Sequence, residues 1–148
     1  ISEAVKRNIS LSVGRVRRAE MIEVDGLGLL TINGKPLLLV DENEELYIPF
    51  IAEVGKHVSC PSIVVDMGAV SYIVNGADVM APGIVFCEEF EEGNAVCVKT
   101  EKYEKVIAVG VALMASEKVE ALKKGKAVKN HHHVGDRYWN SAKDLFQF

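Results

Sequence analysis

Val65-Asp66-Met67-Gly68-Ala69-Val70, running into Asn75-Gly76-Ala77-Asp78-Val79-Met80-Ala81-Pro82-Gly83-Ile84, is the stretch on which the fold of this 148-residue chain turns. Ile63-Val64-Val65 before it reads as a short buried strand. Asp66 then reads as a helix N-cap, because its carboxylate can accept from the free amides of a first turn. Val70, Ile73 and Val74 recur at helical spacing, and Gly76 supplies the stop. The apolar run by itself would also permit a strand, and the cap and the glycine decide for a helix. Beyond it, Val79-Met80 and Ile84-Val85-Phe86 flank a Pro82-Gly83 turn.

Downstream, residues 95–100 and 105–114 read as strands joined through Glu101-Lys102-Tyr103-Glu104. Ser116 is placed to cap a short helix through Lys124, supported by a Glu120–Lys124 pair and ended by Gly125. Residues 127–130 make a last strand, with Trp139 expected to plug one end of a small barrel. Upstream, Asn33-Gly34 lies between Leu29-Leu30-Thr31-Ile32 and Pro36-Leu37-Leu38-Leu39-Val40. Both residues tolerate positive φ, as a two-residue hairpin requires. Residues 46–51 add a third strand closed by Pro49, and 55–61 read as a connector and domain boundary. The class is α+β with a mostly β core.

A second stretch joins the first: Lys124-Gly125-Lys126-Ala127-Val128, then His133-Val134-Gly135-Asp136-Arg137-Tyr138-Trp139. At this spacing the two together resemble a PUA domain, the RNA-binding pseudobarrel named after pseudouridine synthases and archaeosine transglycosylases. The hairpin and Leu46-Tyr47-Ile48-Pro49 resemble the small pre-PUA domain found with this type, while residues 1–20 match least well. The whole arrangement is similar to the family of the malignant T-cell-amplified sequence protein and its archaeal relatives. The resemblance implies a small N-terminal α/β pre-PUA domain at 1–60 and a PUA pseudobarrel of mostly antiparallel strands with two short helices at 61–139. A C-terminal tail would follow at 140–148. It also implies RNA binding in translation, at the small ribosomal subunit and the acceptor end of tRNA. Eukaryotic members partner the density-regulated protein, so a translation-factor protein partner is implied as well.

In PUA domains the groove between the first helix and the following strand holds the nucleic acid, which carries over to Gly68, Gly76, Ala77, Val79 and Met80. Chemistry agrees at Gly76, where the missing Cβ lets a phosphate or ribose approach exposed amides, although the same glycine also serves as a helix stop. The chain departs from the family at Met67 and Ser71, positions that are often basic in relatives. The first helix therefore has no cation of its own, and phosphate contacts are expected from Lys123, Lys124, Lys126, Lys129 and Arg137.

The formal charge of −4 is unevenly spread. Residues 1–18 carry Lys6, Arg7, Arg15, Arg17 and Arg18 against Glu3, a net +4. Residues 19–114 carry 5 basic and 16 acidic groups, a net −11, and residues 115–148 return to +3. Basic ends around an acidic middle make one cationic surface or two, or simply solvated faces. The runs Asp41-Glu42-Asn43-Glu44-Glu45 and Glu88-Glu89-Phe90-Glu91-Glu92 repel phosphate, so an RNA face must point away from them. The apolar run at 106–115 is too short to span a bilayer. The first residues lack the apolar core of a signal peptide, and three cysteines cannot all pair within one chain. A cytoplasmic protein with reduced thiols is expected.

His131-His132-His133 invites a metal reading, but consecutive strand residues point to opposite faces and cannot all ligate one ion. Cys87 or Cys97 could complete a site with His131 and His133, yet no Cys-x-x-Cys or His-x-x-x-His spacing supports one, so no metal or cofactor is expected. Cys97 alternates with Val96 and Val98 and reads as core rather than nucleophile. Asp66 is better explained as a cap than as a general base, and Gly26-x-Gly28 lacks the rest of a dinucleotide fingerprint. The expectation is a non-catalytic RNA-binding accessory factor of translation, acting on tRNA or small-subunit ribosomal RNA. The alternative is a protein-interaction adaptor of a ribonucleoprotein complex with only incidental RNA contact.

Overall fold

Three successive hairpins build the N-terminal sheet of the computed structural model, which describes residues 7–148. Ser10–Leu11 (β1) comes first, followed by Ala19–Val24 (β2), Leu27–Ile32 (β3), Lys35–Asp41 (β4) and Leu46–Pro49 (β5). Strands β2 to β5 pair in order as an antiparallel meander. Asn33-Gly34 makes the expected two-residue turn, with φ of 52° and 78°. Asp25-Gly26, at 46° and 87°, makes a second turn of the same chemistry. A 3-10 turn at Ile51–Glu53 leads to Val58–Ser59 (β6), which pairs with β1. Among the described residues this half contains no α-helix, so the α part of the expected α/β unit is not seen there.

The second sheet is formed by Ser62–Val65 (β7), Val79–Met80 (β8), Ile84–Cys87 (β9), Ala95–Thr100 (β10), Val106–Ala112 (β11) and Lys126–His133 (β12). Its order is β8-β12-β11-β10-β7-β9, with β7 parallel to β10 and the other pairs antiparallel. A 3-10 turn at Ala81–Gly83 joins the two outermost strands and nearly closes the sheet into a pseudobarrel. Three helices accompany it: Met67–Ile73 (α1), Ser116–Leu122 (α2) and Arg137–Phe146 (α3). None is long and apolar enough to cross a membrane.

Burial explains why β10 and β11 read as continuous apolar runs rather than alternating ones. Val96, Val98 and Ala108 face the barrel interior with Ile63, Val65, Ile73 and Phe90. Cys97 and Val109 face the other way, onto Leu29, Leu39, Ile48 and Phe50 of the N-terminal sheet. Both faces are covered, so neither tolerates polar residues.

Several local expectations are corrected. Ser116 does not cap α2: the cap is Ala115, and Ser116 is buried with its Oγ bonded to the Phe90 amide and carbonyl at 3.1 and 3.2 Å. The helix ends at Leu122, where Lys123 turns left-handed at φ 51°, and Glu120 accepts from Cys87 Sγ at 3.3 Å rather than serving Lys124. Trp139 plugs no barrel end. It lies on α3, between the two sheets, against Phe50 and Phe148 at 6.4 and 4.6 Å between ring centroids. Residues 140–146, expected as tail, continue that helix, and Ala142 and Phe146 pack into the same cluster. The last strand runs to His133, three residues beyond its expected end.

Candidate nucleic-acid interface

The Asp66 carboxylate accepts from the Ala69 amide at 2.9 Å and starts α1 as its chemistry requires. Seven residues later the helix stops. Gly76 takes φ +99°, and the amides of Gly76 and Ala77 return to the carbonyls of Ile73 and Tyr72 at 3.0 Å each. Strand β12 holds this loop in place through Asn130. Its side-chain amide donates to the carbonyls of Ile73 and Ala77, both at 3.0 Å, while its backbone amide donates to Asp78 Oδ1 at 2.9 Å. The other Asp78 oxygen lies 3.5 Å from Lys126 Nζ.

The result is an open groove of about 350 Å³ between α1 and β8. Ala69 and Tyr72 form the helix wall, Val79 the floor, and Ala77, Met80 and Lys126 the opposite rim. Tyr72 and Met80 are 70% and 46% exposed, large apolar surfaces with no protein to cover them. Asp78 is the groove's anion. Burial pushes its carboxyl up, but the Asn130 amide and the ammonium groups of Lys126 and Lys129 outweigh that and hold it below the usual range. An apolar slot with one cation and one anion at its edge suits a stacked, hydrogen-bonding base better than a bare phosphate track.

Four of the ten expected site residues therefore meet in one place: Ala77, Val79, Met80 and Lys126. Gly68 and Gly76 flank it. Gly68 sits in the first turn of α1, where a Cβ would touch Asp66 Oδ1 at 3.2 Å; at Gly76 a Cβ would come 3.6 Å from His133 Nε2. Lys129 is exposed on β12, close enough to Asp78 to lower it. Lys123 lines a separate cleft beside α2, and Lys124 is exposed just beyond that helix. Arg137, on α3, donates to Tyr138 Oη at 2.9 Å and lies over that ring. Sequence reasoning did not assign Tyr72, Asp78 or Asn130. Asp78 stands within the quoted motif, whereas the role of Asn130 depends on partners more than 50 positions away.

Arg15, Arg17 and Arg18 do not join Arg137. Asn33 Oδ1 accepts from the Arg17 and Arg18 amides, and its Nδ2 donates to the Arg15 carbonyl, so this cluster sits at one end of β3. Ser141 of α3 donates to Asp25 at the other end, 2.7 Å away. Six residues of strand, about 17 Å, separate the two ends. Lys6 lies outside the described residues.

The histidines divide between faces as strand geometry requires. His132 is fully buried, while His131 and His133 are half-buried. Burial first, then Lys129 and Arg7, pushes His131 below its ordinary value despite Asp78. Among the described residues no three His, Cys, Asp or Glu side chains come together as a metal site. Cys97 is buried, its sulfur turned toward the Cys60 carbonyl, as a core residue.

Residues 61–134 match the family model described as the PUA domain. The chain is 34% identical over 140 residues to an uncharacterised protein of Methanocaldococcus jannaschii, covering 93% of this chain and 85% of that one. It is 30% identical to translation machinery-associated protein 20 of Saccharomyces cerevisiae, covering 78% of this chain and 67% of that one. Among solved structures, a hypothetical protein of Pyrococcus horikoshii superposes with a TM-score of 0.72 at 36% identity, covering 82% and 77% of the two chains.

Proposed function

The chain belongs to the PUA-domain family, with translation machinery-associated protein 20 and malignant T-cell-amplified sequence 1 among its relatives, and from that premise we propose that it binds RNA as an accessory factor of translation. The observation that carries the proposal is the groove itself. Ala77, Val79, Met80 and Lys126 converge on an apolar slot within the residues that match the PUA domain. The RNA proposed is the acceptor end of tRNA or an unpaired segment of small-subunit ribosomal RNA, because an exposed Tyr72 offers a stacking face that duplex interiors cannot reach.

The role proposed is non-catalytic and cytoplasmic, with residues 61–139 as the RNA-binding unit and residues 1–60 as the unit that supports it. Gly76 is exposed and has no Cβ, so the sugar-phosphate backbone following the base can pass close to it at the groove's end. Lys126 and Lys129 neutralise the strand, and no residue of the acidic runs at 41–45 and 88–92 lines the groove. A translation-factor protein is the partner proposed to act with it.

Filter binding to deacylated tRNA, to tRNA lacking its 3′-terminal nucleotides, and to small-subunit RNA, across a salt series, tests this. The expected result is binding that weakens with salt according to the few phosphates neutralised, and that drops when the unpaired 3′ end is removed. No binding to any of the three at low salt overturns RNA binding. Equal binding of intact and trimmed tRNA overturns the acceptor-end assignment.

A further inference from the structure

We propose that the cleft between β9 and α2 binds an extended, basic segment of a partner protein as an added strand. Strand β9 pairs with β7 on one side, and among the described residues its other edge has no strand partner. Helix α2 forms the facing wall, with Val119, Glu120 and Lys123 opposite Val85, Phe86 and Cys87 across a space of about 550 Å³. The two elements run antiparallel. The Ser116 amide at the start of α2 donates to the Phe90 carbonyl, just past the end of β9, at 3.0 Å. At the other end, the Ala81 amide donates to the Gly125 carbonyl at 2.9 Å. A strand edge facing a helix across a slot is the geometry in which a peptide takes main-chain hydrogen bonds from the strand and places alternate side chains against the helix.

The edge itself is undefended. Ile84-Val85-Phe86-Cys87 contains no charge and no proline, and Val85 and Phe86 are 50% and 59% exposed. Edges are ordinarily protected by lysine, proline or a covering element, so an apolar open edge marks a surface made to be covered.

The charge around the cleft selects the occupant. Glu117 and Glu120 stand at the Cys87 end and Lys123 at the Ala81 end. Glu88 is already committed to the amide and hydroxyl of Ser62, at 2.7 and 2.8 Å. Glu120 accepts from the neutral Cys87 thiol at 3.3 Å, which leaves its charge in place, and with Glu117 it repels phosphate and matches an arginine or lysine carried by an extended peptide. Burial pushes the Cys87 thiol up to about 11, and the Glu120 hydrogen bond and the two carboxylate charges push it the same way. The cleft is lined by Ala81 and Pro82 of the 81–83 turn and the RNA groove by Gly83, and the two share no lining residue.

The test uses the full chain, labelled with nitrogen-15, and a positional library of eight-residue peptides in which valine alternates with a varied residue. The expected result is enrichment of arginine or lysine at one varied position, with amide shifts concentrated at Val85, Phe86 and Cys87. N-methylation of the peptide backbone should abolish binding, because it removes the main-chain donors. The double variant Glu117→Lys, Glu120→Lys, changed only at exposed positions, should lose at least tenfold in affinity for the arginine peptide and gain the glutamate peptide. Absence of enrichment up to millimolar peptide overturns the proposal, as do equal binding of both peptides to the parent or shifts at α1 instead. Concentration-dependent dimerisation through β9 in sedimentation would make the occupant a second copy and overturn it equally.

Discussion

His132 Nε2 lies 3.3 Å from the Ile51 amide, and its Nδ1 lies 2.9 Å from Asp136 Oδ2. The Ile51 N–H donates, so the ring proton sits on Nδ1 and is donated to Asp136. One buried imidazole thereby ties the 3-10 turn after β5 to the cap of α3, while its face stacks on Phe50 at 4.8 Å. Replacing His132 by Phe keeps the stack but strands the buried Ile51 amide and leaves Asp136 Oδ2 with the His133 amide alone. The expected loss is about 2–4 kcal/mol in urea unfolding, against less than about 0.5 for an exposed substitution.

Acid should loosen the same joint from the Asp136 side. Burial raises this carboxyl, but the His132 ring and the amides of Trp139 and His133 prevail and hold it below its ordinary 3.8. The unfolded chain then binds more protons in acid, so stability rises with pH there. Its contribution is complete above the ordinary value and disappears as pH falls through the lowered one. Asp136→Asn retains a cap and loses the charge. The stability gap between parent and variant should be constant from about pH 7 to 5 and shrink below about pH 4. A gap unchanged down to about pH 2.5 would refute the assignment.

Much of the pseudobarrel was legible in the residues because its signals are local. Asp66 caps, Gly76 stops, and Asn33-Gly34 turns, each through its own backbone chemistry. Asp25-Gly26 carries the same turn chemistry, but β2 is marked by Glu20 and Glu23 and lacks the apolar run that announced its neighbours. For α3, a capping Asp136 and Tyr138, Trp139, Ala142 and Phe146 stood at helical spacing, yet their partner Phe50 lies nearly 90 positions away. The groove was legible where its motif is contiguous and hidden where Asn130 reaches across from β12.

Gly110 shows the same limit. Nothing local marks it, but it sits at a register shift between β11 and β12, and a Cβ there would strike the Lys129 carbonyl. Backbone cannot yield as a side chain can. Gly110→Ala should cost more than about 3 kcal/mol, or prevent folding, whereas Gly93→Ala, with open space around it, should cost about 1 from its φ of +89° alone. Thermal unfolding of the pair separates the two mechanisms.

Asp78 and Lys126 should move RNA affinity in opposite directions. Asp78→Asn keeps an oxygen for the Asn130 amide, removes an anion from the groove and frees Lys126. Affinity for tRNA should rise about 3- to 10-fold at low salt. Lys126→Ala should lower it across all sequences and reduce the salt slope by about one phosphate's share. A rise in affinity from both variants would place the RNA elsewhere.

Gly76 tests the groove most directly, because strain and occlusion separate there. A Cβ would come only to ordinary contact with His133 Nε2, at 3.6 Å, so the cost to the fold comes from φ +99° rather than from a clash. Gly76→Ala should therefore lose about 1 kcal/mol or somewhat more, which a domain of this size survives. Gly76→Val adds branched bulk where the RNA backbone is proposed to come closest to the protein. The expected outcome is a folded variant, by thermal melt and by amide spectra unchanged away from α1, that binds tRNA at least tenfold more weakly than Gly76→Ala. Ala and Val variants of equal RNA affinity, both folded, would show that the nucleic acid does not pass Gly76. The exposed Lys129 edge of β12 or the Arg15–Arg18 cluster at the Asn33 turn would then be the surfaces to vary next.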